Sequence, residues 1–369
     1  MVDIKYWAAL KRVPRLGTVR FRRLEAYFGD LERVWHAGLS EFKEAGLDDR
    51  TARNLIALRS QTTPDAEMEK LKLAGINLIT WHDDDYPARL KEISDPPPVL
   101  YYKGTLLPSD ERSVAVVGTR GPTSYGREAT AGLTAELARN DIAIISGLAR
   151  GVDGVAHWTA LENGGRTIAV LANGLDIIYP REHTNLAQQI MDHGAIVSEY
   201  PPGVRPDPRS FPRRNRLISG ISLGSLVIEA GEGSGARWTV YHALEQNREV
   251  FCVPGSIYSP MSRLTNRLIQ EGAKLVSNVT DILEELNLTA VARQVPMPLP
   301  VETDDDAESV LLAHLNDEPR HIDDIRRSAD IPIASVSSML TMLELKGQVR
   351  QVGCMHYVRL REVSQVYGN

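Results

Sequence analysis

Between Asn77 and Asn278 the chain repeats one unit: a short, almost wholly apolar run rich in β-branched residues, then a stretch long enough for a returning helix. The runs are Leu78–Trp81, Ser113–Val117, Ile142–Ser146, Thr167–Leu171, Ala195–Ser198, Ser225–Ile228, Glu249–Val253 and Lys274–Val276. A strand with one face in water alternates apolar and polar residues, whereas a strand covered on both faces does not. The runs therefore predict a parallel sheet with helices on each side. The expected fold class is α/β, a doubly wound Rossmann-like core over residues 76–290.

The flanks have a different texture. Residues 1–75 place apolar positions at helical spacing, broken by Gly17, Gly29, Gly38 and Gly46, which predicts an all-α N-terminal domain. Within it, Val13–Leu24 and Ala45–Ile56 each set a glycine turn before a basic amphipathic helix. That is the helix-hairpin-helix or SAM-like pattern, in which amides at a helix start meet a DNA phosphate; docking and dimerisation are the alternatives. Residues 291–307 are rich in proline and acid and read as a linker. Residues 308–369 then read as three short amphipathic helices and a hairpin, a C-terminal winged helix. Its candidate recognition helix, Ala334–Lys346, is poor in cations, so duplex DNA and a protein partner both stay open.

Length and composition narrow the classes. At 369 residues the chain exceeds what one core usually organises, and its 43% hydrophobic content is ordinary for a globular protein. No stretch of about 18 apolar residues occurs and no basic stub with an apolar run opens the chain, so an unprocessed, soluble, cytoplasmic protein without membrane contact is expected. The two cysteines, Cys252 and Cys354, lack short-spaced Cys or His neighbours, so neither a disulfide framework nor a zinc site is expected. A net charge of −6 excludes a uniformly basic polyanion binder but not a local basic patch.

Ligands in open α/β sheets bind beyond the carboxyl ends of the strands, and the residues there are informative. After Ser113–Val117 comes Gly118-Thr119-Arg120-Gly121, leading to Gly126 and a helix. Glycines admit close backbone approach, and a helix start favours an anion by roughly 0.3–1 kcal/mol. The turn reads as a phosphate cradle but not as a nucleotide motif of the usual kinds, since Arg127-Glu128 stands where a P-loop needs Lys-Ser/Thr and no Gly-x-Gly-x-x-Gly is present. A second turn, Gly147-Leu-Ala-Arg150-Gly151-Val-Asp153, repeats the arrangement. Asp153 reads as a helix cap, His157 as a buried hydrogen-bonded histidine, and Asp83-Asp84-Asp85 as a turn with a helix cap rather than a metal cluster.

The third feature is Arg205-Pro-Asp-Pro-Arg209-Ser-Phe211-Pro-Arg213-Arg214-Asn215-Arg216, read as a proline-stiffened loop before a glycine-broken helix. Guanidinium groups neutralise several phosphates and an aromatic face stacks a base of any identity, which suits a single strand. Glu199 and Glu229 end strands near the same cleft and are the candidate carboxylates for catalysis. The rival readings are a nucleotide-processing enzyme of the phosphoribohydrolase kind and a ligand-sensing transcription regulator.

Together these segments resemble the DNA-processing protein A family (DprA or Smf). The resemblance rests on Val114–Arg120, Ser146–His157, Thr167–Pro180, Ser198–Pro202, Phe211–Gly220 and Val253–Gly255. It implies a Rossmann-like core, binding of incoming single-stranded DNA in natural transformation, a homodimer formed through the core, and loading of RecA recombinase, with neither cofactor nor turnover. By that similarity Gly118, Thr119 and Arg120 match a phosphate-contacting turn, and Phe211, Arg213, Arg214, Asn215 and Arg216 match a strand-binding motif. Gly147, Arg150 and Gly151 join them as the second turn. Pro208 replaces a basic residue common in the family, leaving Arg209 as its substitute. The chain also departs from the pattern at Ser234–Val240 and Leu264–Asn266, which bear on the far rim of the pocket and the nearby dimer surface.

Overall fold

The computed structural model describes residues 3–288, 310–316, 319–329, 331–346, 348–352 and 355–359. The chain divides into two compact units, Met1–Thr289 and Ala290–Asn369. The expected linker, 291–307, lies outside the described residues.

In the first unit nine strands form one sheet. They are β1 Asn77–Thr80, β2 Val99–Gly104, β3 Ser113–Val117, β4 Ala143–Ser146, β5 Thr167–Leu171, β6 Ala195–Ser198, β7 Gly224–Val227, β8 Glu249–Cys252 and β9 Lys274–Leu275, in the order β1-β2-β6-β5-β4-β3-β7-β8-β9. Strands β3 to β9 run parallel, and β1 and β2 add an antiparallel edge through β6. β2 is absent from the apolar runs because its second half, Tyr102-Lys103-Gly104, is only half-buried at the sheet margin. The chain winds from β3 outward through β4, β5 and β6, then returns to β7 on the other side of β3. The strand order therefore reverses between β3 and β7, and a crevice opens beyond their carboxyl ends.

Alternate residues of each strand feed opposite faces. Ala115 and Val117 join Leu217, Ile218 and Val240 on one face, while Val114 and Val116 join Leu133, Leu137, Val152 and Ala156 on the other. The first face is covered by α11 (Ser210–Ile221) and α12 (Ala236–Glu245), the second by α8 (Ser124–Arg139) and α9 (Val152–Glu162).

The N-terminal helices share a core with this sheet. Trp7 in α1 (Ile4–Lys11) stacks on Phe21 of α2 (Thr18–Phe28) at 5.7 Å, in an apolar cluster that continues to Ala169, Leu171 and Ile196. Both glycine-turn helices are engaged at their starts. The Thr18 hydroxyl donates to the Pro96 carbonyl at 2.8 Å, and the Asp48 carboxylate accepts from the Thr51 amide of α5 (Asp49–Arg59) at 3.0 Å. At the α5 start a carboxylate of the chain thus already complements the positive end of the helix.

The second unit has a helical turn at 310–313, helices Ile322–Ala329 and Ile333–Leu345, and a three-stranded antiparallel sheet in the order β10 (Arg320–His321), β12 (His356–Arg359), β11 (Val349–Gln351). Leu311, Ile325, Val336, Leu340, Leu343 and Val349 form its core. This is the winged-helix arrangement, with no Lys or Arg on Ile333–Leu345.

Candidate nucleic-acid interface

At the β3/β7 reversal lies an open cleft of about 560 Å³, bounded by the turn after β3, the start of α11 and the turn into α12. Gly118 must be glycine, because a Cβ there would stand 2.6 Å from Val152 Cγ2 and 2.9 Å from the Glu229 carbonyl. The Thr119 amide donates to that carbonyl at 2.7 Å, which holds the turn and leaves Arg120 exposed at the rim.

The α8 start is not the open anion site its sequence suggests. Glu229 accepts from the Thr123 amide at 2.8 Å and from the Thr123 hydroxyl at 2.7 Å, and Thr123 Oγ1 in turn accepts from the Gly126 amide at 3.1 Å. A carboxylate of the chain already complements the positive end of the helix. Arg120 thus carries the charge of this turn.

The second turn is a brace under the first. The amides of Gly147 and Ala149 donate to Asp153 at 3.1 and 3.3 Å, so Asp153 reaches back from the first turn of α9 rather than occupying the cap position, which is Gly151. Gly151 has φ +78°, and a Cβ there would meet the Thr119 carbonyl at 2.4 Å. Arg150 is exposed and paired with Glu182 by two bonds of 2.7 Å.

Residues Phe211 to Arg216 are helical, not a loop, because α11 begins at Ser210. Pro212 falls in its first turn, where a missing amide hydrogen costs the helix nothing. The helix continues through Gly220, whose bare Cα lets Leu90 and Ile93 pack closely. Helical periodicity then separates the arginines. Arg214 is buried: its Nη1 donates to the Gly147 carbonyl at 2.7 Å and also to Val170, and its Nε donates to Asn215 Oδ1 at 3.1 Å. Burial draws its guanidinium down to about 10, against the opposing charge of Asp153, so it remains a cation at neutral pH. Arg216 instead pairs with Glu199 at 2.8 and 2.9 Å and with Asp95 at 3.4 Å. Arg209 pairs with Asp207 at 3.2 Å, and Arg213 is exposed with no ion pair among the described residues.

Two cations lie beside Phe211, the Arg120 guanidinium 5.4 Å and the Arg214 guanidinium 5.9 Å from its ring centroid, with the Tyr179 ring 5.9 Å away. Asn215 Nδ2 donates to the Gly235 carbonyl at 3.3 Å and ties α11 to the opposite rim. Of the twelve residues anticipated, Gly118, Thr119, Arg120, Phe211, Arg214 and Asn215 line the cleft, while Gly147 and Gly151 support it. Arg150, Arg209 and Arg216 are engaged with carboxylates, and Arg213 stands free on the surface. Tyr179 and Trp238 also line the cleft and were not anticipated, although both fall within segments that carry or interrupt the family pattern.

The two candidate catalytic carboxylates are engaged structurally. Glu229 serves Thr123, and Glu199 serves Arg216: burial opposes its charge, yet Arg216 holds its carboxyl below the ordinary glutamate value. Among the described residues no group of three or more His, Cys, Asp or Glu is placed to hold a metal ion, and no helix is long and apolar enough to cross a membrane. Asp83 closes a turn by accepting from the Thr80 amide at 2.6 Å, while the helix start at Ala88 is served by Glu111 rather than by that acidic run.

His157 is wholly buried, with Nδ1 2.6 Å from the Thr167 hydroxyl. Burial, with His183 and Arg214 nearby, pulls its pKa from 6.5 to about 3. In that window the unfolded chain binds a proton that the folded chain refuses. Stability should therefore fall as pH drops from 6.5 toward 3, by up to about 1.4 kcal/mol per pH unit from this group. His157→Gln should flatten this part of the stability curve in urea unfolding; an unchanged slope would place the titration elsewhere.

Residues 77–287 match the family described as DNA recombination-mediator protein A, and residues 295–353 match the DprA winged helix domain. Protein Smf of Escherichia coli is 35% identical over 388 residues, spanning 99% of this chain and 98% of its own length. The DNA processing protein DprA of Bacillus subtilis is 47% identical over 213 residues, covering 58% of this chain and 72% of its own. Among solved structures, DprA of Streptococcus pneumoniae superposes with a TM-score of 0.69 at 34% identity, over 77% of this chain and 99% of the other. DprA of Helicobacter pylori, described for its single-stranded DNA binding mode, superposes at 0.52 with 32% identity, over 58% and 97%. With its reversed strand order, the cleft it opens and the winged helix that follows, the chain belongs to the DNA recombination-mediator protein A (DprA/Smf) family.

Proposed function

We propose that this chain is a non-enzymatic, cytoplasmic single-stranded DNA-binding protein that protects incoming DNA in natural transformation and loads RecA recombinase onto it, as a homodimer formed through the core. The observation that carries the reading is the Phe211 ring with the Arg120 and Arg214 guanidinium groups beside it, lining an open cleft at the strand ends. A base stacks on such a ring whatever its identity, and a neighbouring guanidinium takes the phosphate. The binding residues are Gly118, Thr119, Arg120, Phe211, Arg213, Arg214 and Asn215, braced by Gly147 and Gly151. Arg150, Arg209 and Arg216 contribute by exchanging a carboxylate for a phosphate. The DNA-binding mode described for the Helicobacter pylori relative supports the same ligand class. The cation-free helix Ile333–Leu345 supports a protein contact for the winged helix.

The test is binding of the full chain to single-stranded and duplex DNA across salt. In this reading Arg205 and Arg237 join Arg120 and Arg213 as phosphate contacts, all four being exposed and without ion pairs among the described residues. About four phosphate contacts at roughly −0.7 each predict a slope of log affinity against log salt near −3. A slope near zero, or equal affinity for duplex, overturns the reading. Faster RecA nucleation on strands bound by this protein, and a mass in solution of two chains, are the expected results for loading and dimerisation.

A further inference from the structure

The aromatic lining of the cleft does not stop at Phe211. Trp238 lines the same cleft from the first turn of α12 and is 37% exposed. The Arg237 guanidinium lies 5.1 Å from its ring centroid. One turn further along α12, Tyr241 stands 6.3 Å from Trp238 in an edge-to-face arrangement and is 52% exposed. Large aromatics left in water beside a cleft are unusual on a surface with no ligand, and a guanidinium stacked on one supplies charge next to a π-face. This segment is also where the chain departs from the family pattern: Ser234-Gly-Ala-Arg237-Trp238 brings in both the cation and the indole.

The geometry points to a second base-stacking platform, Trp238 with Tyr241 beside it, that takes the next bases of the same single strand as it leaves the Phe211 site. The inference rests on the single-strand reading of the cleft. Continuity selects the occupant: Trp238 belongs both to the cleft wall that Phe211 lines and to the exposed face of α12, where the Tyr241 hydroxyl donates to Glu245 at 2.7 Å and leaves the ring faces for stacking. Arg237 then meets the phosphate between the two stacked positions. The competing occupant is a second copy of this chain, seated on Trp238, Tyr241 and the exposed Leu244.

The experiment uses the full chain and oligothymidylates of roughly 4 and roughly 16 nucleotides, the span of site sizes usual for one module. Trp238→Ala should weaken the longer strand about tenfold, the loss of one base–aromatic stack, and the shorter one little. The salt slope should stay unchanged, because no phosphate contact is lost. Trp238→Phe keeps a ring and should restore most of the affinity. It should also abolish the quenching of tryptophan emission by DNA, since Trp7 and Trp35 are buried and Trp81 and Trp158 half-buried away from the cleft. Quenching that survives in Trp238→Phe together with unaltered affinity in Trp238→Ala overturns the platform. So does a Trp238→Ala protein that changes mass in solution but binds the longer strand as before, which assigns the face to a second copy. If the wild-type chain binds neither strand, the cleft reading fails, a result distinct from wild-type binding that ignores Trp238.

Discussion

Replacing Arg214 with alanine is expected to destabilise the core by roughly 3–5 kcal/mol, the usual cost of stripping one partner from a buried charge. Arg214 donates to two carbonyls, Gly147 after β4 and Val170 within β5, and its charge faces the buried Asp153. Alanine would leave both acceptors dry and the carboxylate without its cation. The turn carrying Gly147, Ala149 and Gly151 would then lose its anchor, and Thr119, against which Gly151 packs, would lose its support. Urea unfolding should show the loss as a lower midpoint. DNA binding measured well below the new melting temperature should still be weaker, because the cleft floor has moved. Arg214→Lys should recover little, since one ammonium on a flexible stem does not reproduce a planar fork that reaches both carbonyls through Nη1 and Asn215 Oδ1 through Nε. A variant as stable as the parent would mean that water satisfies these groups and that the clamp is not structural.

Phe211→Ala and Arg120→Ala are expected to weaken single-strand binding by different physics. Loss of the ring removes one base stack, about 1–3 kcal/mol or roughly fivefold to 150-fold, with the salt slope kept. Loss of the guanidinium removes one phosphate contact, so affinity falls for all sequences and the slope shrinks by about 0.7. The two groups lie 5.4 Å apart, so their effects should not add; a coupling of about 0.5–3 kcal/mol is expected in the double-mutant cycle. Fluorescence anisotropy with labelled oligothymidylate across salt reads all three quantities. Equal slopes for parent and Arg120→Ala would remove Arg120 from the phosphate path.

The parallel strands were legible because burial on both faces leaves its mark in local composition: β3, β5 and β6 coincide with apolar runs to the residue. β2 was not, because half of it borders solvent and its place depends on pairing with β6, about a hundred residues later. The glycines at 118, 147 and 151 were legible as points of close approach, but what approaches was not. At Gly147 it is the Arg214 guanidinium, 2.6 Å from where a Cβ would stand. Trp238 was not legible for a related reason: a lone tryptophan in a helical stretch reads as core, and only the packing of α12 beside the crevice leaves it exposed.

By itself the sequence determined most of the parallel strands, the doubly wound class and the residue types gathered at the strand ends, because each follows from periodicity, crossover length and backbone permissiveness acting over a few residues. The tertiary structure alone decided which cation does what. Arg213, Arg214 and Arg216 are near neighbours in one motif, yet helical geometry sends one to solvent, one to buried carbonyls and one to Glu199. An arginine's role is set by the charge or carbonyl across from it, and those partners lie from 17 residues away, at Glu199, to more than a hundred, at Asp95.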